Sequence, residues 1–188
     1  MLFTKCYQIE TSEGIVIRPK VFEALNSTAP LFTWSSALVL ASFIASKSFL
    51  SSVESLSELS FLELGAGTAL PSITAALLGA KRVIVTDRPH EEDLQNTVVR
   101  ALEANNIASI GEFRPLNWGD CSIINDTMFP MVDIIIGSDV FYSTEDFDSI
   151  LFTVAALIRR NPSTVFYTTY QERRCSNTLN FLLPLNNT

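Results

Sequence analysis

The 188-residue chain holds one histidine, His90, and three cysteines, Cys6, Cys121 and Cys175, too far apart to form a C-x-x-C pair. A zinc site needs several such ligands at short spacing, so no metal is expected, and the thiols read as those of a reducing, intracellular compartment. Positive charge is also scarce. Thirteen Lys and Arg stand against twenty Asp and Glu, a formal net charge of −7. Direct nucleic-acid binding is therefore not expected, because it requires a basic footprint. A cationic ligand or a basic protein partner suits the balance. Seven glycines and eight prolines exclude a collagenous or low-complexity chain, and 47% hydrophobic residues exclude intrinsic disorder. Long apolar runs are missing as well. The most apolar stretch, Leu31–Ala45, is broken by Thr33, Ser35, Ser36 and Ser42 and is shorter than the roughly 20 residues that span a bilayer. Nor does Met1-Leu2-Phe3-Thr4-Lys5 have the layout of a signal peptide. A soluble intracellular protein, with no membrane partner, is the expectation.

What is present is a β–α alternation on a length that suits one domain. Cys6–Ile9 and Ile15–Ile17 flank a turn at 11–14 and predict a hairpin, and residues 19–30 read as a connector. A helix is predicted from about Thr33 to Phe49, with Trp34, Leu38, Ala41 and Ala45 on one face, followed by a serine-rich surface link over 46–60. Leu59–Leu64 reads as a strand, 69–78 as a helix with Pro71 in its first turn, and Arg82–Thr86 as a second strand closing on Asp87. A helix over about 90–104 precedes a weak strand at 112–116. Met131–Gly137 is rich in β-branched residues, as a strand buried on both faces requires. Ser143 to Arg160 has helical spacing of apolar residues, and Thr164–Thr169 supplies a fifth strand. Repeated strand–helix–strand units imply a Rossmann-like α/β fold, a doubly wound, mostly parallel sheet with helices on both faces.

Ligands of such sheets bind beyond the carboxyl ends of the strands. Four strand ends carry chemistry here. Glu63-Leu64-Gly65-Ala66-Gly67-Thr68 ends the first, and its glycines permit a sharp turn and close approach to a ligand. Asp87 ends the second, placed to bond ribose hydroxyls. Trp118 follows the weak third strand and suits either a purine face or core packing. Asp139 and Tyr142 follow the fourth. A dinucleotide reading fails on two counts: Leu70 stands where the third glycine of G-x-G-x-x-G belongs, and Glu63 is unfavourable beside a pyrophosphate. A nucleoside carrying positive charge, such as S-adenosylmethionine, fits better.

With these residues in view, the chain resembles the seven-β-strand S-adenosylmethionine-dependent methyltransferases. Trp34, Leu116-Asn117-Trp118-Gly119, Ser138-Asp139-Val140-Phe141-Tyr142 and Thr169-Tyr170-Gln171-Glu172-Arg173 narrow the likeness to the small branch that modifies lysine or arginine in proteins. The resemblance implies S-adenosyl-L-methionine as cofactor. It places Glu63, Gly65 and Gly67 near the methionine moiety, Asp87 at the ribose, Trp118 at the adenine and Trp34 as a lid. Asp139 and Tyr142 then face the methyl group and substrate as catalytic residues, with Asp139 also touching cofactor. The implied substrate is a basic, histone-like protein, with arginine of the histone H3 type first, lysine as the rival, and a non-catalytic binding module as the third reading. Glu145 and Glu172 are further carboxylates able to serve a guanidinium.

The same resemblance bears on length. The family fold closes with a sixth strand and an antiparallel seventh, whereas nineteen residues follow Thr169. A helix, two strands and their turns need roughly 30 or more. The closing pair is therefore expected to be incomplete, with 164–169 left as an edge strand.

Overall fold

The computed structural model describes residues 1–24, 31–120 and 129–171. Its centre is a five-stranded sheet in which every neighbouring pair is parallel. In chain order the strands are β5 (Ser60–Leu64), β6 (Arg82–Asp87), β7 (Gly111–Pro115), β8 (Ile134–Ser138) and β9 (Val165–Thr169). They lie side by side as β7-β6-β5-β8-β9. The order reverses between β5 and β8, and this switch point opens a crevice above the carboxyl ends of both strands. At the opposite, amino-terminal end Asp133 ties the two strands together, its Oδ2 accepting from Ser60 N at 2.8 Å while its own N–H donates to Ser60 O.

Strand side chains alternate between faces, and the two faces bury different helices. Phe61, Val83, Val85, Ile134 and Ile136 pack in one layer with α1 (Ser35–Ile44), α3 (Leu70–Leu77) and α4 (Glu92–Ala104). Leu62, Leu64, Ile84 and Ile135 pack in the other with Ile150, Val154 and Leu157 of α5 (Phe147–Arg160). The doubly wound architecture read from the sequence is the one observed.

Three segments depart from expectation. The predicted hairpin shrinks to β2 (Ile9–Glu10) against β3 (Val16–Ile17), and a second pair encloses it: β1 (Leu2–Cys6) runs antiparallel to β4 (Lys20–Ala24). Residues 20–24 are thus a strand, not a connector. Asn105 holds β4 to the end of α4 by bonding Lys20 N and Lys20 O at 2.9 and 2.7 Å. The helix expected over 33–49 stops at Ile44, because Ser46 caps a separate short helix, α2 (Lys47–Leu50). Its buried stripe is Ala37, Leu40, Ala41 and Ile44, which leaves Trp34 and Leu38 on the outer side. The serine-rich stretch is structured, with Phe49 buried against Phe61 and Tyr167. No helix among the described residues is long and apolar enough to cross a membrane. Glu172, Cys121, Cys175 and the expected closing strands lie outside the described residues.

Candidate active site

A cleft of about 290 Å³ opens at the switch point, close to the small end of the roughly 300–1,000 Å³ typical of small-molecule sites. Its floor is the turn after β5. Gly65, Gly67 and Ala69 all have positive φ, at 57°, 53° and 59°, which lifts the chain off the sheet and into α3. Gly65 is irreplaceable for a second reason. A Cβ there would sit 3.0 Å from Trp118 Cζ2 and 3.3 Å from Val140 Cγ1. Gly65→Ala is expected to weaken S-adenosylhomocysteine binding about tenfold, through left-handed strain plus displacement of the indole. Calorimetry reads that loss, and unchanged affinity would show that the indole does not shape the cleft.

Asp87 closes one side. Its Oδ2 accepts from Gly67 N at 2.9 Å and its Oδ1 from Arg88 N at 2.8 Å. One carboxylate thereby ties the end of β6 to the glycine turn, and each oxygen keeps a lone pair for a further donor. Burial pushes its pKa up, against the two backbone bonds and the Arg88 charge that hold it down. Asp87→Ala removes the carboxylate acceptors that line the cleft and the clamp together. An increase in Kd for S-adenosylhomocysteine of about 10–100-fold is expected by calorimetry; a change below about threefold would remove Asp87 from the site.

The opposite side comes from β8 and from the approach to α1. Asp139 has φ of 54°, is 7% exposed, and donates its N–H to Thr169 O at 2.8 Å. Left-handed backbone at a non-glycine residue is sparsely populated, and aspartate is among the residues that adopt it. Tyr142 stands at the rim, half exposed. Trp34 is the N-cap residue of α1, edge-on to Phe32 with centroids 5.6 Å apart.

Of the eight residues singled out from the sequence, seven line this one cleft: Trp34, Gly65, Gly67, Asp87, Trp118, Asp139 and Tyr142. Glu63 does not. Its position along β5 turns its side chain to the α3 face, where it is fully buried and Oε2 accepts from Ser72 N at 3.0 Å. Desolvation raises its pKa to about 8; the Ser72 bonds lower it and the Asp87 charge adds to the rise. Glu63 is a buried cap of the helix that follows the glycine turn, not a wall of the cleft. Glu145 is exposed and also absent from the lining. Phe32, Ala37 and Arg88 line the cleft without having been read from the sequence as site residues, and Thr68 lines it as the end of the glycine motif. Arg88 had a signal, being adjacent to Asp87; Phe32 and Ala37 had none strong enough to separate them from packing residues.

The profile of a family described as lysine methyltransferase matches residues 20–187. The chain belongs to that family. Among similar proteins, the Xenopus laevis "Histone-arginine methyltransferase METTL23" is 38% identical over 158 residues, 84% of this chain and 64% of that protein. The chain thus spans less than two thirds of that relative's length. The Xenopus tropicalis "Protein N-lysine methyltransferase METTL21A" is 37% identical over 124 residues, 64% of this chain and 51% of that protein. Among solved structures, a precorrin-6y C5,15-methyltransferase from Geobacter metallireducens superposes with a TM-score of 0.50 at 16% identity, covering 78% of this chain and 67% of that one. That likeness shows the shared methyltransferase fold.

S-adenosylmethionine is the donor that this family and fold imply, and the cleft suits it. The side-chain-free cradle at Gly65 meets the indole of Trp118, while Asp87 supplies acceptors and Phe32, Trp34 and Val140 supply apolar wall. Carboxylates at Asp87 and Asp139 suit a cationic ligand far better than a pyrophosphate.

Proposed function

We propose that the chain is an S-adenosylmethionine-dependent protein N-methyltransferase that acts on arginine in a basic, histone-like substrate. The observation that carries the reading is Asp139: a buried residue with a carboxylate, on left-handed backbone, lining the same cleft as Tyr142. The bound donor supplies a methyl group on a positively charged sulfur. What remains for the chain is to orient the acceptor nitrogen, exclude water and manage one proton.

The proton decides the rest. Deprotonating a lysine amine of pKa near 10.4 costs about 4.6 kcal/mol at pH 7. A guanidinium, with pKa near 13.8, would cost roughly 9 kcal/mol. Arginine therefore needs a fixed negative charge that holds the cation in line and takes up charge as its proton leaves. Asp139 supplies that charge, and Tyr142 borders the path by which a side chain enters. Trp34 and Trp118 hold the donor between two aromatic walls and limit water.

Sequence likeness supports arginine through the histone-arginine relative, which aligns with 84% of this chain. The second reading, lysine, is favoured by the family description and by the lysine-modifying relative. Incubation with histone H3 and donor, followed by mass spectrometry of the peptides, separates them. Methylarginine is the expected product. Methyllysine alone would replace the first reading by the second, and no binding of S-adenosylmethionine by calorimetry would remove both in favour of a non-catalytic module.

A further inference from the structure

The residues that line the cleft divide by depth. Asp87, Asp139 and Val140 are among those that are buried, whereas Phe32, Trp34, Arg88 and Tyr142 are exposed and form its rim. A donor seated in the cleft covers the deep residues, so an acceptor side chain arriving from solvent meets the rim. Aromatic rings dominate that rim. Trp34 and Tyr142 have a place in the chemistry above; Phe32 has none beyond apolar wall.

Phe32 is 47% exposed, and its ring is held by two neighbours. Trp34 meets it edge-on, with centroids 5.6 Å apart and planes at 82°. Lys5 Nζ stands over it, 5.9 Å from the ring centroid. That ammonium bonds both oxygens of the buried Glu23 carboxylate, Oε1 at 3.1 Å and Oε2 at 3.4 Å. Its charge is thereby matched, and it does little to repel a second cation at the ring. The aromatic part of the rim is also tied to the Asp139 side of the cleft. Asp139 N–H donates to Thr169 O, and Thr169 Oγ1 donates at 3.0 Å to Ser36 O, in the first turn of the helix for which Trp34 is the N-cap. The Arg88 guanidinium follows β6, on the far side of β5 from β8 and Asp139. A cationic acceptor is therefore favoured on the Asp139 side.

We infer that Phe32 is a specificity-determining residue, whose ring takes the flat face of the acceptor guanidinium and so favours arginine over lysine. The inference rests on the arginine reading proposed above. A guanidinium is planar, weakly hydrated and stacks on aromatic rings, whereas an ammonium is compact and strongly hydrated. Contact with the ring rewards the first more than the second. It does so before and during transfer alike, and such uniform binding shows in KM, not in kcat.

The test is steady-state methyl transfer by the full chain with two peptides. One carries the arginine methylated in histone H3; the other has lysine in its place and is added as a competitor. Phe32→Leu keeps an apolar side chain and removes the ring. It is expected to raise KM for the arginine peptide about fivefold, with kcat within about twofold. The inhibition constant of the lysine peptide and the affinity for S-adenosylhomocysteine by calorimetry should each stay within about twofold. Phe32→Tyr, which retains a ring, keeps the wild-type KM. An unchanged KM in Phe32→Leu overturns the inference. So does an equal loss for both peptides, which marks a general apolar contact, or a matching loss of S-adenosylhomocysteine affinity, which makes Phe32 a wall of the donor site alone. Wild-type protein that gives no methylarginine on histone H3 overturns the arginine reading itself, and this one with it.

Discussion

Replacing Asp139 by asparagine should lower methyl transfer by about 10²–10³-fold while affinity for S-adenosylhomocysteine stays within about threefold. The magnitude is that of removing one preorganised electrostatic partner from a water-poor site. Asparagine is the right substitution because the backbone here has φ of 54°. It tolerates the left-handed region nearly as well as aspartate, whereas alanine would add strain and confuse lost charge with lost shape. The amide keeps the size and the acceptor oxygen and removes only the negative charge. An arginine substrate should suffer most, since its guanidinium cannot shed a proton beforehand. Turnover measured beside calorimetry decides the matter. A parallel fall in cofactor affinity would move Asp139 from the substrate to the cofactor; unchanged turnover would remove it from the chemistry.

Glu63→Gln should flatten the pH dependence of stability. In the folded chain the carboxyl is fully buried and its pKa is raised to about 8, against 4.5 for the ordinary group. The native state therefore holds a proton that the unfolded chain releases between those two values. The contribution of this group to stability is greatest below pH 4.5, falls as pH rises through the window, and levels off above 8. A shift of this size corresponds to about 3–5 kcal/mol. The glutamine variant cannot ionise, so relative to wild type it gains that amount between pH 5 and pH 9. Its carbonyl still accepts from Ser72 N at the head of α3. Urea unfolding of both proteins at several pH values gives the comparison directly. Parallel curves would mean that Glu63 is ionised in the folded protein and that its second oxygen has found a partner.

Both predictions turn on a carboxylate, and the sequence alone treated the two alike. Glu63 and Asp139 each sit at the end of an apolar strand beside glycine, and both were assigned to the cleft. The difference is one of sheet face and distance from the strand end. Glu63 lies within β5, paired with Val85 and Ile136, and α3 covers it. Asp139 lies one residue past β8, where the chain leaves the sheet and the crevice begins. Alternation is a local property, but which face a helix covers is not.

The succession of strands and helices, the glycine turn after β5 and the acid closing β6 were legible in the chain itself, because hydrophobic period, caps and turn residues act over a few positions. So were seven of the cleft residues: six stand at or just past the ends of β5, β6, β7 and β8, and Trp34, at the head of α1, came with the family resemblance. Short-range patterning ends there. The strand order β7-β6-β5-β8-β9, the return of residues 20–24 against the first strand, and the breaking of the long helix at Ser46 all depend on pairing between distant segments. The Lys5–Glu23 pair joins β1 to β4, and the contact between the Thr33 and Thr68 hydroxyls joins the approach to α1 to the glycine turn. Only the tertiary structure brings them together, because burying charge and hydroxyl alike demands partners, and those partners lie far apart in sequence.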